Sequence, residues 1–360
     1  MTLHPVPARS LVAAFVVQDA DRAGLAALLR GLTEEIRGLM AGLPVQSRGP
    51  AYPPLDSGIL GDAPPADDLA IVLSVGASLF DDRFGLADRR PAELVEMPFL
   101  ANDRLDPARS HGDVLLAIEA GHPDTVLFAL RQLMRSTRRH LVLRWMVEGY
   151  TRGSETASAE GTPRNLLGFK DGTANPDMTD TALMDELVWV QPGAPGEPAW
   201  TASGSYHVVR IIRMFVEFWD RTPLAEQEAI MGRYKGSGAP LGRTGERDEP
   251  VFANGADDPL TPIDAHIRLA NPRTPQSERN RILRRGFSFS DGFDGSGQLD
   301  QGLAFVSFQR SLREGFLTVQ ERLAGEPLEE YILPVGGGFF FALPGVPSPD
   351  RYLGDTMVGG

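Results

Sequence analysis

The stretch NLLGFKDGTANPD, from Asn165 to Asp177, places the carboxylate of Asp171 close to two glycines and then runs into Asn and Pro. This composition disfavours both helix and strand and predicts a loop. A carboxylate on a loop can transfer protons if the fold holds it within hydrogen-bond reach of a reacting group. The composition of the loop raises the question of why an acid stands there and does not answer it.

His266 lies in PLTPIDAHIRLANPRTP, among apolar residues and ahead of a turn at Asn271 and Pro272. It has no second histidine three to five residues away, so it makes a poor zinc site, but a single axial His suffices for haem iron. The alternative is a satisfied core histidine, which is the commoner role. We expect structural or surface roles for the other five histidines: His4, His111, His122, His140 and His207.

The stretch RILRRGFSFSDG sets Arg281, Arg284 and Arg285 among Ile, Leu and Phe. A guanidinium is rarely buried without a partner, so this pattern predicts at least one arginine that points inward against an anion. The equally weighted alternative is the solvated basic end of a helix.

Composition excludes several classes of function. The 360 residues carry a formal net charge of -13, which disfavours nucleic acid and anionic membrane surfaces as partners. There is no cysteine, so disulfides, thiolate nucleophiles and Cys-based metal sites are excluded. No run of eighteen apolar residues occurs, so membrane insertion is not expected.

Hydrophobic periodicity predicts a repeated arrangement of strands and helices. In the first half, the predicted strands are Leu11 to Val17, Asp68 to Val75, Asp113 to Ile118 and Leu141 to Glu148, and the predicted helices are Asp21 to Met40 and Asp124 to Met134. In the second half, the predicted strands are Tyr206 to Trp219, Leu303 to Phe308 and Phe339 to Leu343, and the predicted helices are Pro223 to Met231 and Leu312 to Leu323.

The first half therefore follows the order β-α-β-β-α-β, and the second half resembles it. We expect an α+β protein of two domains, each an antiparallel sheet with helices packed on it; one mixed domain with long insertions is the alternative. The predicted boundaries are 8–150 for the first domain, 151–204 for a linker that includes the Asp171 loop, and 205–355 for the second. The loop from Pro240 to Pro262 is long, and such loops are usually functional or poorly ordered.

Three segments together, GFKDGTANPD, AHIRLANPRT and LRRGFSFS, resemble the signature segments of the dye-decolourising peroxidases, a haem family. The stretches YPPLDSGILG, WDRTPLAEQEAIMGR and GFLTVQERLAGEPLEEYILPVGGGFFFALPGV look like its deferrochelatase/peroxidase subgroup, which is associated with bacterial ferrous-iron uptake. The resemblance runs from about Ser10 to near the carboxyl end.

The resemblance implies two ferredoxin-like domains and one haem b per chain, held mainly by the C-terminal domain. It makes His266 the proximal iron ligand, Asp171 the distal acid of the GxxDG motif, and Arg284 the distal arginine. The other haem contacts that it implies are Gly172, Thr173, Ala174, Asn271, Pro272 and Arg273, the last directed toward a propionate. Glu330 is expected to accept the Nδ1 proton of His266, with Glu329 as its rival.

The activity implied is that of a haem b peroxidase, which reduces H2O2 through an oxo-ferryl intermediate and oxidises dyes, phenols or other electron donors. A deferrochelatase that releases iron from haem and leaves the porphyrin intact is one alternative, and a non-catalytic haem carrier is another. A homodimer and partners from an iron-uptake system are left open. The subgroup implies a periplasmic or extracellular protein whose export leader has been removed, and a cytoplasmic protein is the alternative.

Overall fold

The structure, a computed structural model, describes residues 6–44, 48–62, 64–152, 161–252 and 260–359. Its first half shows the predicted order β-α-β-β-α-β. The elements are β1 (Arg9–Val17), α1 (Arg22–Met40), β2 (Ala70–Gly76), β3 (Val114–Ala120), α2 (Pro123–Thr137) and β4 (Leu141–Tyr150). Residues 153–160 of the predicted linker and residues 253–259 of the long loop lie outside the described residues.

Helix α1 begins where its sequence predicts. The side chain of Asp21 accepts a hydrogen bond from the backbone N–H of Gly24 (2.8 Å), as an N-cap residue does. Leucines at helical spacing, such as Leu25 and Leu32, are fully buried against alternate residues of β1. This burial fixes the helix on one face of the N-terminal sheet.

The second half contains more elements than the sequence predicted. They are α3 (Thr181–Leu187), β5 (Ser205–Met214), α4 (Val216–Trp219), α5 (Leu224–Met231), α6 (His266–Ala270), α7 (Pro275–Glu278), β6 (Leu283–Arg284), β7 (Phe287–Phe293), β8 (Leu299–Gln309), α8 (Thr318–Leu323), β9 (Ile332–Ala342) and α9 (Asp355–Val358). The predicted strand to Trp219 ends at Met214 instead, because α4 begins at Val216. The helix predicted from Leu312 opens with a π-helical turn over Arg313–Leu317.

Both halves have the same strand order. Strands β4-β1-β3-β2 are neighbours in the first half and β9-β5-β8-β7 in the second. With the two-residue strand β6 left out, each half therefore has its fourth, first, third and second strands side by side. The pairs between these neighbours are antiparallel. This repetition supports two ferredoxin-like units over one mixed domain with insertions.

The two sheets are also joined to each other. Strand β2 pairs with β9 from Ser74 to Gly76, and Tyr150 of β4 pairs with Ser288 of β7, so the eight long strands close into a ring. An apolar cluster that includes Val12 and Val209 joins residues of both sheets. Among the described residues, no helix is long and apolar enough to cross a bilayer.

The opposite face of the C-terminal sheet positions the site. Side chains alternate along a strand, so Val209 and Ile211 of β5 join the cluster between the sheets, whereas Arg210 and Ile212 line a cavity. One face of the C-terminal sheet therefore packs against the other sheet, and its opposite face lines the cavity.

Candidate active site

A large cavity lies between the C-terminal sheet and the short helices α6 to α8. Its empty space, open mouth included, is about 1820 Å³. Apolar side chains that line it include Leu167, Phe169, Ile212, Met214, Met231, Leu303, Phe305, Phe316, Leu323 and Leu328. An apolar cavity with a few polar groups is typical of a cofactor site.

The structure brings most of the predicted site residues to this cavity. Those that line it are Asp171, Gly172, Thr173, Ala174, His266, Asn271, Arg273 and Arg284. Pro272 and Glu330 do not line it. Residues more than a hundred positions apart in sequence therefore meet in one space.

His266 is the first residue of α6, and its imidazole is held by a buried carboxylate. Nδ1 lies 2.7 Å from Oε2 of Glu326. Burial alone lowers the pKa of His266, but the charge and the hydrogen bond of Glu326 outweigh it, so the net pKa is raised. Because the carboxylate accepts at Nδ1, that nitrogen carries the proton, and Nε2 of the neutral ring is available as a ligand.

The prediction that Glu330 is the partner of His266 is wrong, because Glu326 holds that place. Glu326 is 5% exposed and directly precedes the 3₁₀ helix Pro327–Glu330. A 3₁₀ helix has three residues per turn, so Glu329 lies near the face of Glu326 and also lines the cavity, while Glu330 is rotated to the exposed side. The sequence offered three glutamates in GEPLEE and no way to choose among them without the phase of this turn.

Asp171 and Arg284 form an ion pair through Oδ1 and Nη1. Their side chains are 26% and 31% exposed, respectively. Asn175 holds the Arg284 backbone at two points: its Nδ2 donates to the carbonyl oxygen (2.8 Å), and its Oδ1 accepts from the N–H (3.2 Å). The loop and the strand are thus joined by side chain and backbone together.

The next residue, Arg285, points away from the Asp171 pair. It is 6% exposed and pairs with Glu119 of β3 in the other half. Strand alternation explains why neighbouring arginines face different anions. The prediction of an inward-pointing arginine is confirmed by Arg285. The alternative, a solvated basic end of a helix, is wrong for Arg284 and Arg285.

Gly172 gives the Asp171 loop its shape. Its φ of +120° is a conformation that residues with a Cβ rarely adopt. The chain can therefore turn sharply directly after Asp171.

Arg273 also has an uncommon backbone. Its φ is +60°, in the left-handed region, and its N–H donates to Oδ1 of Asn271 (3.0 Å). The guanidinium lines the cavity, 3.5 Å from Oε1 of Glu249 and 3.8 Å from Oε1 of Glu278. A non-glycine residue in this conformation is a reason to ask what its side chain serves.

Sequence reasoning missed a buried ion pair on the cavity wall. Arg210 of β5 pairs with Asp103, from a loop of the first half, and both side chains are almost fully buried. Nε and Nη1 of Arg210 are buried and have no hydrogen-bond partner among the residues that the structure describes. The sequence did show a charged residue, Arg210, inside the apolar strand YHVVRIIRMF. Its partner, Asp103, lies 107 residues away in sequence and could not be identified from it.

These features fit a haem. The cavity offers one imidazole with a free Nε2, wide apolar walls, and cationic groups in Arg210, Arg233 and Arg273 that suit carboxylates. Within the described residues, no group of three or more His, Asp or Glu side chains could hold a bare metal ion. A single histidine ligand therefore calls for a metal that brings its other ligands with it.

Residues 1–151 match the family model described as Dyp-type peroxidase, N-terminal, and residues 162–347 match Dyp-type peroxidase, C-terminal. The chain belongs to the DyP-type peroxidase family. A protein of Escherichia coli strain K12 named deferrochelatase is 51% identical over 359 residues, which cover 99% of this chain and 84% of that protein. A deferrochelatase of Yersinia pestis is 50% identical over 357 residues, with coverages of 99% and 82%.

Solved structures agree. A DyP-type peroxidase from Streptomyces coelicolor superposes with a TM-score of 0.88 at 35% identity, covering 99% of this chain and 94% of that one. Ferric DtpA from Streptomyces lividans gives the same TM-score, 0.88, at 35% identity and the same coverages of 99% and 94%. These matches confirm the predicted family, the α+β fold of two ferredoxin-like units, haem as the cofactor and peroxidase as the class of enzyme. The domain boundaries stay predictions.

Proposed function

We propose that this DyP-type peroxidase is a haem b enzyme that reduces H2O2 at the expense of dyes, phenols or other electron donors. The observation that carries the proposal is the content of the cavity. One space holds an imidazole bound to a carboxylate, His266 with Glu326, and an aspartate paired with an arginine, Asp171 with Arg284.

Residues around the cavity would hold the cofactor by distinct contacts. His266 would bind the iron through Nε2, and Arg273 would meet a propionate. Gly172, Thr173 and Ala174 on one loop and Asn271 on another, which all line the cavity, are the proposed backbone neighbours of the haem. When bound, the haem would supply an iron centre that binds the peroxide, accepts its two oxidising equivalents and passes them on to the electron donor.

Asp171 is assigned the proton transfer. Breaking the O–O bond of H2O2 to form water requires a proton to move from one peroxide oxygen to the other, and a carboxylate within hydrogen-bond reach can carry it. The ion pair with Arg284 engages Oδ1, so we assign the transfer to Oδ2.

We assign to Arg284 the stabilisation of the negative charge that develops as the O–O bond breaks. A guanidinium fixed beside the bond stabilises negative charge on the departing oxygen where little water remains. The two-point contact with Asn175 fixes the backbone from which this guanidinium extends.

We assign to Glu326 the role of orienting the imidazole of His266. It keeps the proton on Nδ1, fixes the plane of the ring and makes Nε2 a stronger electron donor.

The test is Asp171→Ala in the haem-loaded protein. We expect the second-order rate constant for H2O2 to fall by about two to four orders of magnitude, the usual contribution of general acid–base catalysis. Bound haem and the Soret band should be retained. Stopped-flow absorbance measures both, and Asp177→Asn on the same loop, whose exposed side chain caps Thr179, is the matched control. Unchanged kinetics would leave a non-catalytic haem carrier as the better description.

A second candidate function is iron release from haem with the porphyrin left intact. It is favoured by the name deferrochelatase carried by relatives that are 50–51% identical over 99% of the chain. Fluorescence of metal-free porphyrin after incubation with haem would detect it.

The remaining biological assignments rest on the same resemblance. We propose a periplasmic or extracellular location and partners from a ferrous-iron uptake system. The homodimer stays a prediction, as does the oxidation of dyes in particular.

A further inference from the structure

Glu246, on the long loop between α5 and α6, is the common acceptor for three side chains of the Asp171 loop. Its Oε1 accepts from the hydroxyls of Thr162 and Thr173 (3.0 Å for the latter), and its Oε2 forms an ion pair with Nζ of Lys170. The side chains of Glu246 and Lys170 are only 15% and 12% exposed. Hydrogen bonds to a shielded charge are stronger than those between neutral groups.

The three contacts enclose Asp171 along the chain. Lys170 precedes it directly, and Thr173 follows two residues later. Thr162 lies on the facing segment, whose Pro163 carbonyl accepts the N–H of Asp171 (2.8 Å). Between Asp171 and Thr173 stands only Gly172, which has no side chain with which to hold the turn.

The Glu246 loop has an anchor of its own. Nη1 of Arg233, a residue only 8% exposed, donates to the carbonyl oxygens of Gly238 (2.7 Å) and Glu246 (3.0 Å). The carboxylate therefore extends from a fixed backbone and can transmit that rigidity to the Asp171 loop.

Glu246 does not itself line the cavity. It is thus placed to act on Asp171 and not on a bound molecule. Burial raises the pKa of Glu246, but hydrogen bonds from Lys170, Thr162 and Thr173 outweigh it and hold the pKa below its ordinary value. The side chain remains ionised near neutral pH, as the ion pair with Lys170 requires.

We propose that Glu246 is a positioning residue for the peroxide reaction, which fixes the loop of Asp171 so that this carboxylate stays beside Arg284 in the cavity. The inference rests on the proposed role of Asp171. It assigns a function to the part of the long loop that the structure describes.

The experiment compares Glu246→Gln, Lys170→Met and the double variant with the wild-type protein. Gln keeps the size of Glu246 and can still accept from a threonine, but it removes the charge that Lys170 needs. Glu314→Gln is the matched control, because Glu314 also forms an ion pair, with Arg310, but its side chain is 60% exposed.

The first readout is hydrogen–deuterium exchange of the haem-free protein. We expect amides of residues 162–177 to exchange about tenfold faster in each single variant, while amides of residues 266–282 keep their wild-type rates. The second readout is the H2O2 rate constant of the haem-loaded protein, which should fall about tenfold with unchanged haem content and unchanged KM for the electron donor.

The double variant decides whether the ion pair is the cause. Two residues that act through one contact are non-additive, so the double variant should be no slower than the slower single variant. Additive losses, wild-type exchange in 162–177, or a wild-type H2O2 rate would each overturn the inference. If Asp171→Ala is slow while Glu246→Gln is not, only this inference fails; if Asp171→Ala is as fast as wild type, the proposed function itself fails.

Discussion

Two histidines of this protein, one partly and one fully buried, are each held through Nδ1, but by chemically different partners. His266 meets the carboxylate of Glu326 at 2.7 Å, whereas His207 meets the hydroxyl of Ser74 at 2.9 Å. The ring of His207 is fully buried and stacks on Phe308 with centroids 4.3 Å apart. The ring of His266 is 29% exposed and lines the cavity.

The two partners lead to opposite shifts in the pKa of the imidazole. Desolvation disfavours the charged imidazolium in both places. It lowers the pKa of His207 to about 3, because no charge opposes it. At His266 the carboxylate of Glu326 outweighs the desolvation and raises the pKa. A carboxylate partner and open space beside the ring therefore suit His266 to the proposed role of metal ligand, whereas the enclosed ring of His207 suits a packing role.

The largest expected effect separates the two histidines directly. His266→Ala removes the only ligand that we assign to the iron, so haem affinity should fall by more than the roughly 10- to 100-fold typical of losing a supporting residue. His207→Gln should bind haem as the wild type does, since its ring does not line the cavity. Titration with haem, followed at the Soret band, measures both affinities. Equal loss in the two variants would contradict the comparison.

Much of this contrast could be predicted from sequence. His207 lies within an alternating strand, which indicates a structural role, whereas the proposed role of His266 was implied by the resemblance of its segment to a family signature. Helix α1 was predictable because Asp21 and the leucine spacing are local signals. Glycines and Pro predicted the loop of Asp171, and the resemblance implied its role.

What could not be predicted depends on contacts between distant residues or on the phase of a short turn. Glu326 was missed because Glu326, Glu329 and Glu330 differ only by rotation about a 3₁₀ helix. Arg210 and Asp103 come from different halves of the chain and meet only when the fold is complete. Strand β7 was missed because only the first three residues of FSFSDGF are buried, and Asp291 and Gly292, which are typical of turns, interrupt its pattern.

A middle-sized effect tests whether the carboxylate sets the character of His266. Glu326→Gln keeps the size of the partner but removes its charge, so Nε2 becomes a weaker donor. We expect haem affinity or the H2O2 rate constant to fall about 10- to 100-fold. The vibration of the iron–imidazole bond in resonance Raman spectra should move to lower frequency. Glu330→Gln is the control, because Glu330 is exposed; a larger effect there would restore the original prediction.

The smallest effect concerns His207 and the pH dependence of stability. Its pKa is about 3 in the folded protein and about 6.5 in an unfolded chain. Between these values the unfolded state binds more protons, so the free energy of unfolding is unaffected by His207 above pH 6.5 and falls as the pH drops toward 3. Each pH unit in that window costs up to about 1.4 kcal/mol.

Between pH 7 and pH 4.5 this amounts to about 2–3 kcal/mol from one ring. His207→Gln removes the titrating group, so the variant should lose that much less stability over this range, even if it is less stable than the wild type at pH 7. Urea unfolding of the haem-free protein at the two pH values measures the difference. An identical loss in variant and wild type would mean that His207 is protonated in the folded protein. Ser74 Oγ would then have to accept from a charged ring, and the contrast in pKa with His266 would disappear.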